Sequence, residues 1–462
     1  MNFDNSNINI RELILKILIR VEKENAYLNI VTQKYLNKYN IKNNKDKALI
    51  QEICYGVTRF RKKIDWIIDQ FLDKKNKKLP LILRNILRIG VYQILYLDRI
   101  PDYAICNESV KMTKNSQYSE KAKLVNALLR NIIRRMDSIE YPEISKDPVK
   151  YISVFYSFPE WFIKRWIERF GLDLCIELCK ASNMIPSLTL RINTLKVDML
   201  EFKKNLSELR IDYKEGNILS DEAVIVRNFF NIVDSKIFSD GLFSIQDESS
   251  MLSSRLLNPL PGELIIDMCS GPGGKTTHMA QLMDNYGEIV AFEKNKKRLE
   301  MVKGECSRMG IDIVRPILQD ATQPCRSFFE KADKILADVP CSGTGVIRKK
   351  PDLKWKKMSE LEFNQLNLLQ GSILNTASYY LKPGGELLYS TCSLEKEEND
   401  DIVSKFLKKR SEFQVEDTDY FVRENNIFKF NTEIKQAIQL LPGYSGKDVD
   451  GFYMVKIKKS GK

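Results

Sequence analysis

Residues 264–278 read LIIDMCSGPGGKTTH: an apolar run, a loop with three glycines, and the polar opening of a helix. Gly271, Gly273 and Gly274 carry no Cβ, so backbone N–H groups can approach a ligand at the helix N-terminus, where unpaired donors already favour acceptors. Three ligands could use that geometry. A nucleotide phosphate loop requires glycine five residues before the Gly274-Lys275-Thr276 triplet, and Cys269 stands there. The dinucleotide fingerprint fails at its third glycine, which is Thr276. An adenosine-bearing ligand without a pyrophosphate fits better. Glu293 ends the next apolar run, EIVAFE, twenty residues past Gly273, where a carboxylate accepts from both ribose hydroxyls, and Asp320 closes the following run, within reach of an adenine amine. S-adenosylmethionine matches this set; the plain alternative is a glycine turn that only joins strand to helix.

Around this loop, from 241 to 462, the short apolar runs ELIID, EIVAFE, IDIVRPI, KILADV, GGELLYS and GFYMVKI alternate with helical segments. That is the pattern of a Rossmann-like α/β domain with a doubly wound parallel sheet, whose ligands sit at the C-terminal ends of the strands. Two such ends carry a cysteine: DVPCSGTG after KILADV places Asp338 and Cys341, and TCS after GGELLYS places Cys392. Methylation at C5 of a pyrimidine needs a cysteine there. C5 is too poor in electrons to attack a methyl sulfonium until a thiolate adds to C6. The only histidine is His278, so the thiolate must be stabilised by a lysine or a helix N-terminus. Asp338 suits the N3/N4 edge of cytosine. Chemistry alone leaves Cys341 and Cys392 exchangeable as nucleophile. Beyond this loop, GVIRKKPDLKWKK carries Arg348, Lys349, Lys350, Lys354, Trp355, Lys356 and Lys357, and basic residues interleaved with an aromatic suit an RNA backbone and an unstacked base.

Toward the N-terminus the pattern changes. From about 8 to 135 apolar residues recur at helical spacing, as in Leu13, Ile14, Ile17, Leu18 and Val21, which predicts an all-α domain over 1–138. The stretch LPLILRNILRIGVYQILYL is interrupted by Arg84 and Arg88 and reads as a buried helix, not a membrane span. DSIEYPEISKDPVKY is the linker candidate. In SFPEWFIKRWIERFG, Ser157 precedes Glu160 at capping-box spacing, which predicts a helix from near Phe158. SLTLRIN, RIDYKEG and EAVIVRN as strands, with VDMLEFKKNLSEL as a helix, complete linker helices and a small α/β module over 139–240, leaving the catalytic domain at 241–462.

With 462 residues the chain is long enough for three cores. A net charge of +12, from 73 Lys+Arg against 61 Asp+Glu, favours an anionic partner. Nine cysteines without a CxxC pair point to a reducing compartment and indicate neither disulfides nor a metal site. The polar start MNFDNSNINIREL lacks a signal-peptide core, so a cytoplasmic protein with no membrane partner is expected.

From about residue 150 onward the chain resembles the RsmB-type RNA cytosine-C5 methyltransferases through SFPEW, RINTL, FSIQDESS, DMCSGPGGKT, DVPCSGTG, PDLKW, YSTCS and LPG with DGFY. The first domain is similar to the antitermination factor NusB through YGVTR, ILRIGVYQILYLDRIP, NESV and VNALLR, and would dock RNA. The resemblance implies 16S ribosomal RNA as partner, a monomer, and an S-adenosylmethionine site made by Cys269, Ser270, Gly271, Pro272, Gly273, Gly274 and Lys275 with Glu293, Asp320 and Asp338. It also implies Cys392 as nucleophile and Cys341 as the residue that assists release. Arg191 and Asn193 of the small module would face RNA. Where many relatives carry Ala-Ala before the proline, this chain has Ser270-Gly271, which are still small. Competing expectations are another RNA substrate, such as transfer RNA, or a non-catalytic RNA-binding assembly factor.

Overall fold

The computed structural model describes residues 9–73, 78–226, 232–356 and 358–461. They fall into two compact units, one within Met1–Met184 plus Ile347–Lys356, the other within Ile185–Val346 plus Lys357–Lys462. No helix among the described residues is long and apolar enough to cross a membrane.

The first unit is all-helical: α1 (Ile10–Glu24), α2 (Leu28–Lys38), α3 (Asn44–Arg59), α4 (Arg61–Gln70), α5 (Leu81–Tyr96), α6 (Asp102–Lys114), α7 (Ala122–Arg134), α8 (Pro148–Phe155), α9 (Glu160–Phe170) and α10 (Leu172–Asn183). Asn9 and Asn43 cap α1 and α3 by accepting from backbone N–H groups of the first turn. The apolar stripes meet in one core that includes Leu13, Ile53, Ile64, Ile86 and Leu129. Helix α5 is buried on nearly all sides, and its Arg88 is accommodated by Asp65 at 2.7 Å and Glu22 at 2.6 Å.

Two expectations fail in this unit. The helix predicted near Phe158 begins at Glu160, and Ser157 forms no capping box: it has φ 62° and its Oγ accepts from the Lys62 N–H at 2.9 Å. The basic stretch read as an RNA surface belongs in part to the interior. Lys354 is fully buried, and its ammonium donates to Asn183 Oδ1 at 2.6 Å, Arg59 O at 3.2 Å and Ser157 O at 3.3 Å. Trp355 Nε1 donates to Thr58 O at 2.6 Å, and the Arg348 carbonyl accepts from the buried Arg59 side chain at 2.8 Å. Burial pushes the Lys354 pKa well down, and with its three donors spent on interior acceptors Lys354 has none left for a phosphate. Lys350 is exposed; Lys357 lies outside the described residues.

The second unit contains two sheets. The small one, ordered β2-β3-β1-β4, is antiparallel and built from β1 (Leu188–Ile192), β2 (Tyr213–Glu215), β3 (Ala223–Val226) and β4 (Phe243–Ile245), with α11 (Met199–Glu208) and the short α12 (Lys236–Ser239). Leu190, Phe202, Val224 and Phe243 form its core. Strands β1, β2 and β3 fall where the sequence placed them; β4, within FSIQDESS, was not foreseen.

The large sheet runs β10-β12-β9-β8-β5-β6-β7, with β11 on β12. Its strands are β5 (Leu264–Asp267), β6 (Glu288–Glu293), β7 (Val314–Leu318), β8 (Ala332–Asp338), β9 (Leu381–Thr391), β10 (Phe413–Val415), β11 (Ile438–Leu440) and β12 (Phe452–Lys459). Strands β5 to β9 are parallel, as expected. The remaining three are antiparallel, which corrects the reading of GFYMVKI as another parallel strand. Only residues 441–451 join β11 to β12, without a crossover helix, and such a connection permits only antiparallel pairing. Neighbouring residues of each parallel strand face opposite layers: Ile265 packs with Met251, Met279 and Val302 of α13 (Glu248–Leu257), α14 (Gly274–Leu282) and α15 (Lys296–Met309), whereas Ile266 packs with Ile373, Tyr380 and Phe406 of α16 (Glu360–Tyr380) and α17 (Asp400–Lys409). Strand β5 lies between β6 and β8, so the chain changes direction across the sheet at its C-terminal end. A crevice opens at such a point.

Candidate active site

The glycine loop is fixed at both ends by Asp267. Its Oδ1 accepts from the Cys269 N–H at 3.2 Å, and its Oδ2 accepts from Thr276 Oγ1 at 2.7 Å, tying the strand end to the first turn of α14. Ser270 donates twice, from N at 2.9 Å and Oγ at 3.0 Å, to the Phe292 carbonyl of β6. The Gly271–Pro272 bond is cis, and Gly273 takes φ 114°, a left-handed conformation that favours glycine. No side chain caps α14, so its first N–H groups face the loop. A Cβ at Gly271 would run into the Glu293 carboxylate and the Arg298 side chain. The loop therefore exposes backbone rather than side chain at the start of α14.

Asp267 is 1 % exposed, and burial raises its pKa to about 6. A carboxyl whose folded value lies above its unfolded value of about 3.9 destabilises the fold progressively as pH rises between the two values, and fully above the folded one. Asp267→Asn is therefore expected to stabilise the protein by roughly 2–3 kcal/mol above pH 6, with the gain fading as pH falls toward 4. Thermal melts of both proteins at pH 8 and pH 4 check this; an equal difference at the two values would mean the Asp267 charge carries no cost.

Glu293, at the end of β6, is 5 % exposed; its Oε1 accepts from the Asn295 N–H at 2.9 Å and its Oε2 lies 3.4 Å from Arg298 Nη1. Arg298 Nη2 also donates to the Gly271 carbonyl. Asp320 is exposed at the end of β7; Oδ1 accepts from Thr322 N at 2.9 Å and Oγ1 at 2.8 Å, and these bonds lower its pKa. A cleft of about 380 Å³ connects these groups, lined by Met268, Cys269, Glu293, Asp320, Pro340 and Ile373. Two carboxylates at successive strand ends, a backbone cradle and apolar walls suit a nucleoside carrying an amino-acid tail.

At the end of β8, Asp338 accepts from Ser390 Oγ at 2.9 Å through Oδ1 and pairs with Lys275 Nζ at 2.8 Å through Oδ2. The loop lysine thus joins the cradle to the next strand end. The Sγ atoms of Cys341 and Cys392 are 3.1 Å apart, both half-buried and both free thiols. A disulfide would bring them to about 2.05 Å. The Gly345 N–H donates to the Cys392 carbonyl at 2.9 Å, holding the two loops together. The hydrogen bond to Cys392, and then burial, hold the Cys341 thiol well above its ordinary value. Either sulfur can donate in the hydrogen bond that they share.

Arg191 and Asn193, anticipated on an RNA-facing surface, are completely buried. Arg191 donates to the Gly274 carbonyl at 2.7 Å, to Thr277 Oγ1 at 3.0 Å and to Gln246, bracing the first turn of α14; burial brings its pKa down to about 10. Asn193 Nδ2 donates to Gly241 O and Met309 O, both at 2.9 Å. Both faces of β1 are covered, so no side of LTLRI is left for a surface role. His278 is also buried, 3.1 Å from Glu222 Oε2, with burial pushing its pKa down. Sequence reasoning did not single out Arg298 or Glu398; the acidic run EKEEND after Cys392 was the available signal for the latter.

Comparison with known proteins agrees with this architecture. The family model for the 16S rRNA methyltransferase RsmB/F matches residues 254–458, that of the NusB family residues 8–134, and that of the RsmF/B-like ferredoxin-like domain residues 158–232. A probable ribosomal RNA small subunit methyltransferase B of Bacillus subtilis is 32 % identical over 98 % of this chain and 99 % of its own. Ribosomal RNA small subunit methyltransferase B of Shewanella oneidensis is 31 % identical over 98 % of this chain and 100 % of its own. The crystal structure of PH0851 is 27 % identical with a TM-score of 0.78, covering 98 % of this chain and 99 % of that one. With matched domains in this order and relatives above 30 % identity along nearly the whole length, the chain belongs to the RsmB/F family of S-adenosylmethionine-dependent ribosomal RNA small subunit methyltransferases.

Proposed function

We propose that this protein methylates C5 of a cytosine in 16S ribosomal RNA through a covalent adduct between Cys392 and C6. The observation that carries the reading is the pair of sulfurs 3.1 Å apart, at the ends of adjacent strands β8 and β9, beside the carboxylate of Asp338. S-adenosylmethionine, held by the Cys269–Lys275 backbone with Glu293, Asp320 and Asp338, supplies the methyl group as a sulfonium.

The residues divide the remaining work. Cys392 adds as thiolate to C6, forming the C–S bond and moving electron density to C5. Asp338 hydrogen-bonds the N3/N4 edge, which favours this addition; Lys275 and Ser390 hold its carboxylate in place. After C5 has gained the methyl group, its proton passes to water, the C–H electron pair restores the C5–C6 double bond, and the C6–S bond breaks to release the Cys392 thiolate. Cys341, 3.1 Å from Cys392, is placed to hydrogen-bond that leaving sulfur and so assist release. The target base must be unstacked, because C6 is unreachable inside a helix. The helical unit is assigned to RNA docking through exposed residues, with Lys354 and Trp355 excluded from contact by their burial or hydrogen bonding.

The test uses 16S RNA tritiated at C5 of cytosine and unlabelled S-adenosylmethionine. Tritium should appear in water in step with 5-methylcytidine in the digested RNA. Methylation at another atom would release no tritium and sink the C5 reading. Transfer to transfer RNA alone would move the substrate, and transfer to no RNA would favour the assembly-factor reading.

A further inference from the structure

Glu398 is a buried carboxylate that the chemistry above does not use. It ends the turn after Cys392 and is completely inaccessible to solvent. Its Oε1 accepts from the Ser342 N–H at 2.8 Å and from Gln370 Nε2 at 3.0 Å, and its Oε2 accepts from the hydroxyls of Ser342 and Ser393. Ser342 follows Cys341, and Ser393 follows Cys392. The two hydroxyls lie 3.1 Å from each other, and Gln370 Nε2 also donates to the Pro340 carbonyl at 2.9 Å. One carboxyl group therefore grips the residue after each sulfur and, through Gln370, the residue before Cys341. All four of its donors are neutral, and burial raises its pKa, so the group is held in place by hydrogen bonds alone. The neighbouring Asn399 extends the frame, accepting from Thr391 Oγ1 at 2.7 Å and donating to the Ser393 carbonyl at 3.0 Å, on either side of Cys392.

We propose that Glu398 is the positioning residue of the sulfur pair: by joining Ser342 and Ser393 through one carboxyl group, it fixes the separation of Cys341 and Cys392. The proposal rests on the reading of these cysteines as nucleophile and release partner, and it assigns to Glu398 a geometric role, not a proton transfer. A carboxamide keeps the carbonyl acceptor for Ser342 N–H and Gln370, and rotating hydroxyls can accept from its NH₂, so Glu398→Gln should preserve the frame. Glu398→Ala removes it.

The full-length protein, without RNA or methyl donor, is treated with the azo compound diamide, which takes two electrons and two protons from two thiols to form one S–S bond. Peptide mapping follows the Cys341–Cys392 link. We expect the link to form about tenfold or more slowly in Glu398→Ala and within about threefold of wild type in Glu398→Gln. In methyl transfer, kcat should follow the same order while KM for S-adenosylmethionine stays unchanged, since Glu398 does not line the cofactor cleft. Linking at the wild-type rate in Glu398→Ala, or a Gln variant as impaired as the Ala one, overturns the proposal. If Glu398→Ala does not fold, the Ser342→Ala/Ser393→Ala double variant takes its place under the same criteria. Linking involves no methyl transfer, so a chain found to methylate another atom would lose the C5 reading and still return a clear result here.

Discussion

Cys392→Ala is expected to abolish methyl transfer, by about 10³-fold or more, and to form no covalent RNA complex, while Cys341→Ala forms that complex and releases it slowly. The asymmetry is that of the two proposed roles. The sulfurs lie 3.1 Å apart and share one hydrogen bond, so Cys341 can stabilise the Cys392 sulfur as it leaves but is not needed for its addition to C6. Without Cys392 the assigned nucleophile is gone and C5 is not activated; neither His278, buried against Glu222, nor Cys269, whose thiol is pushed well up by burial, replaces it. Without Cys341, addition proceeds but the departing sulfur has lost its hydrogen-bond partner, so the adduct persists on denaturing gels. A trapped complex with Cys392→Ala instead would exchange the two roles. Absence of any complex in every variant and the wild type would remove the covalent route.

What the sequence disclosed and what it concealed follow from one distinction. A strand end is a local pattern, and a polar group placed there is legible: Glu293, Asp320, Asp338, Cys341 and Cys392 were all located by apolar runs that stop in a loop, and all five fall at ends of β6, β7, β8 or β9. The partner of a side chain is not local. Lys354 and Trp355 lie in a basic, solvent-like run, yet their contacts are with Asn183, Thr58 and Ser157, more than 150 residues away. Arg191 sits in a strand whose two faces are both covered, so alternation could not assign it a side. Ser157 satisfied a four-residue capping pattern and was claimed by Lys62, a competitor almost a hundred residues earlier. The antiparallel end of the large sheet escaped for a related reason, since strand direction depends on what the connection can span. Charge and burial of single residues are decided by long-range packing, and the sequence-derived RNA surface failed where it relied on them.

Glu293→Ala is expected to weaken S-adenosylmethionine binding by about 10- to 100-fold or more, with RNA affinity unchanged. The carboxylate is nearly inaccessible, and a hydrogen bond to a charged group contributes about 1.5–3 kcal/mol. One oxygen already serves the Asn295 N–H, so the loss also includes the turn into α15. Arg298 sets a limit on this number. It bridges Glu293 and the Gly271 carbonyl across the mouth of the cradle, and its side chain is half exposed at 49 %. A ligand hydroxyl reaching Glu293 must displace or share that contact. Arg298→Ala should therefore change affinity by no more than about threefold, because an exposed pair contributes little and its removal leaves Glu293 free for the ligand. Isothermal titration of the three proteins separates the contributions. If Glu293→Ala binds as tightly as wild type while Arg298→Ala loses affinity, the ligand is held by the guanidinium side of the cleft, and Glu293 contributes nothing to its affinity.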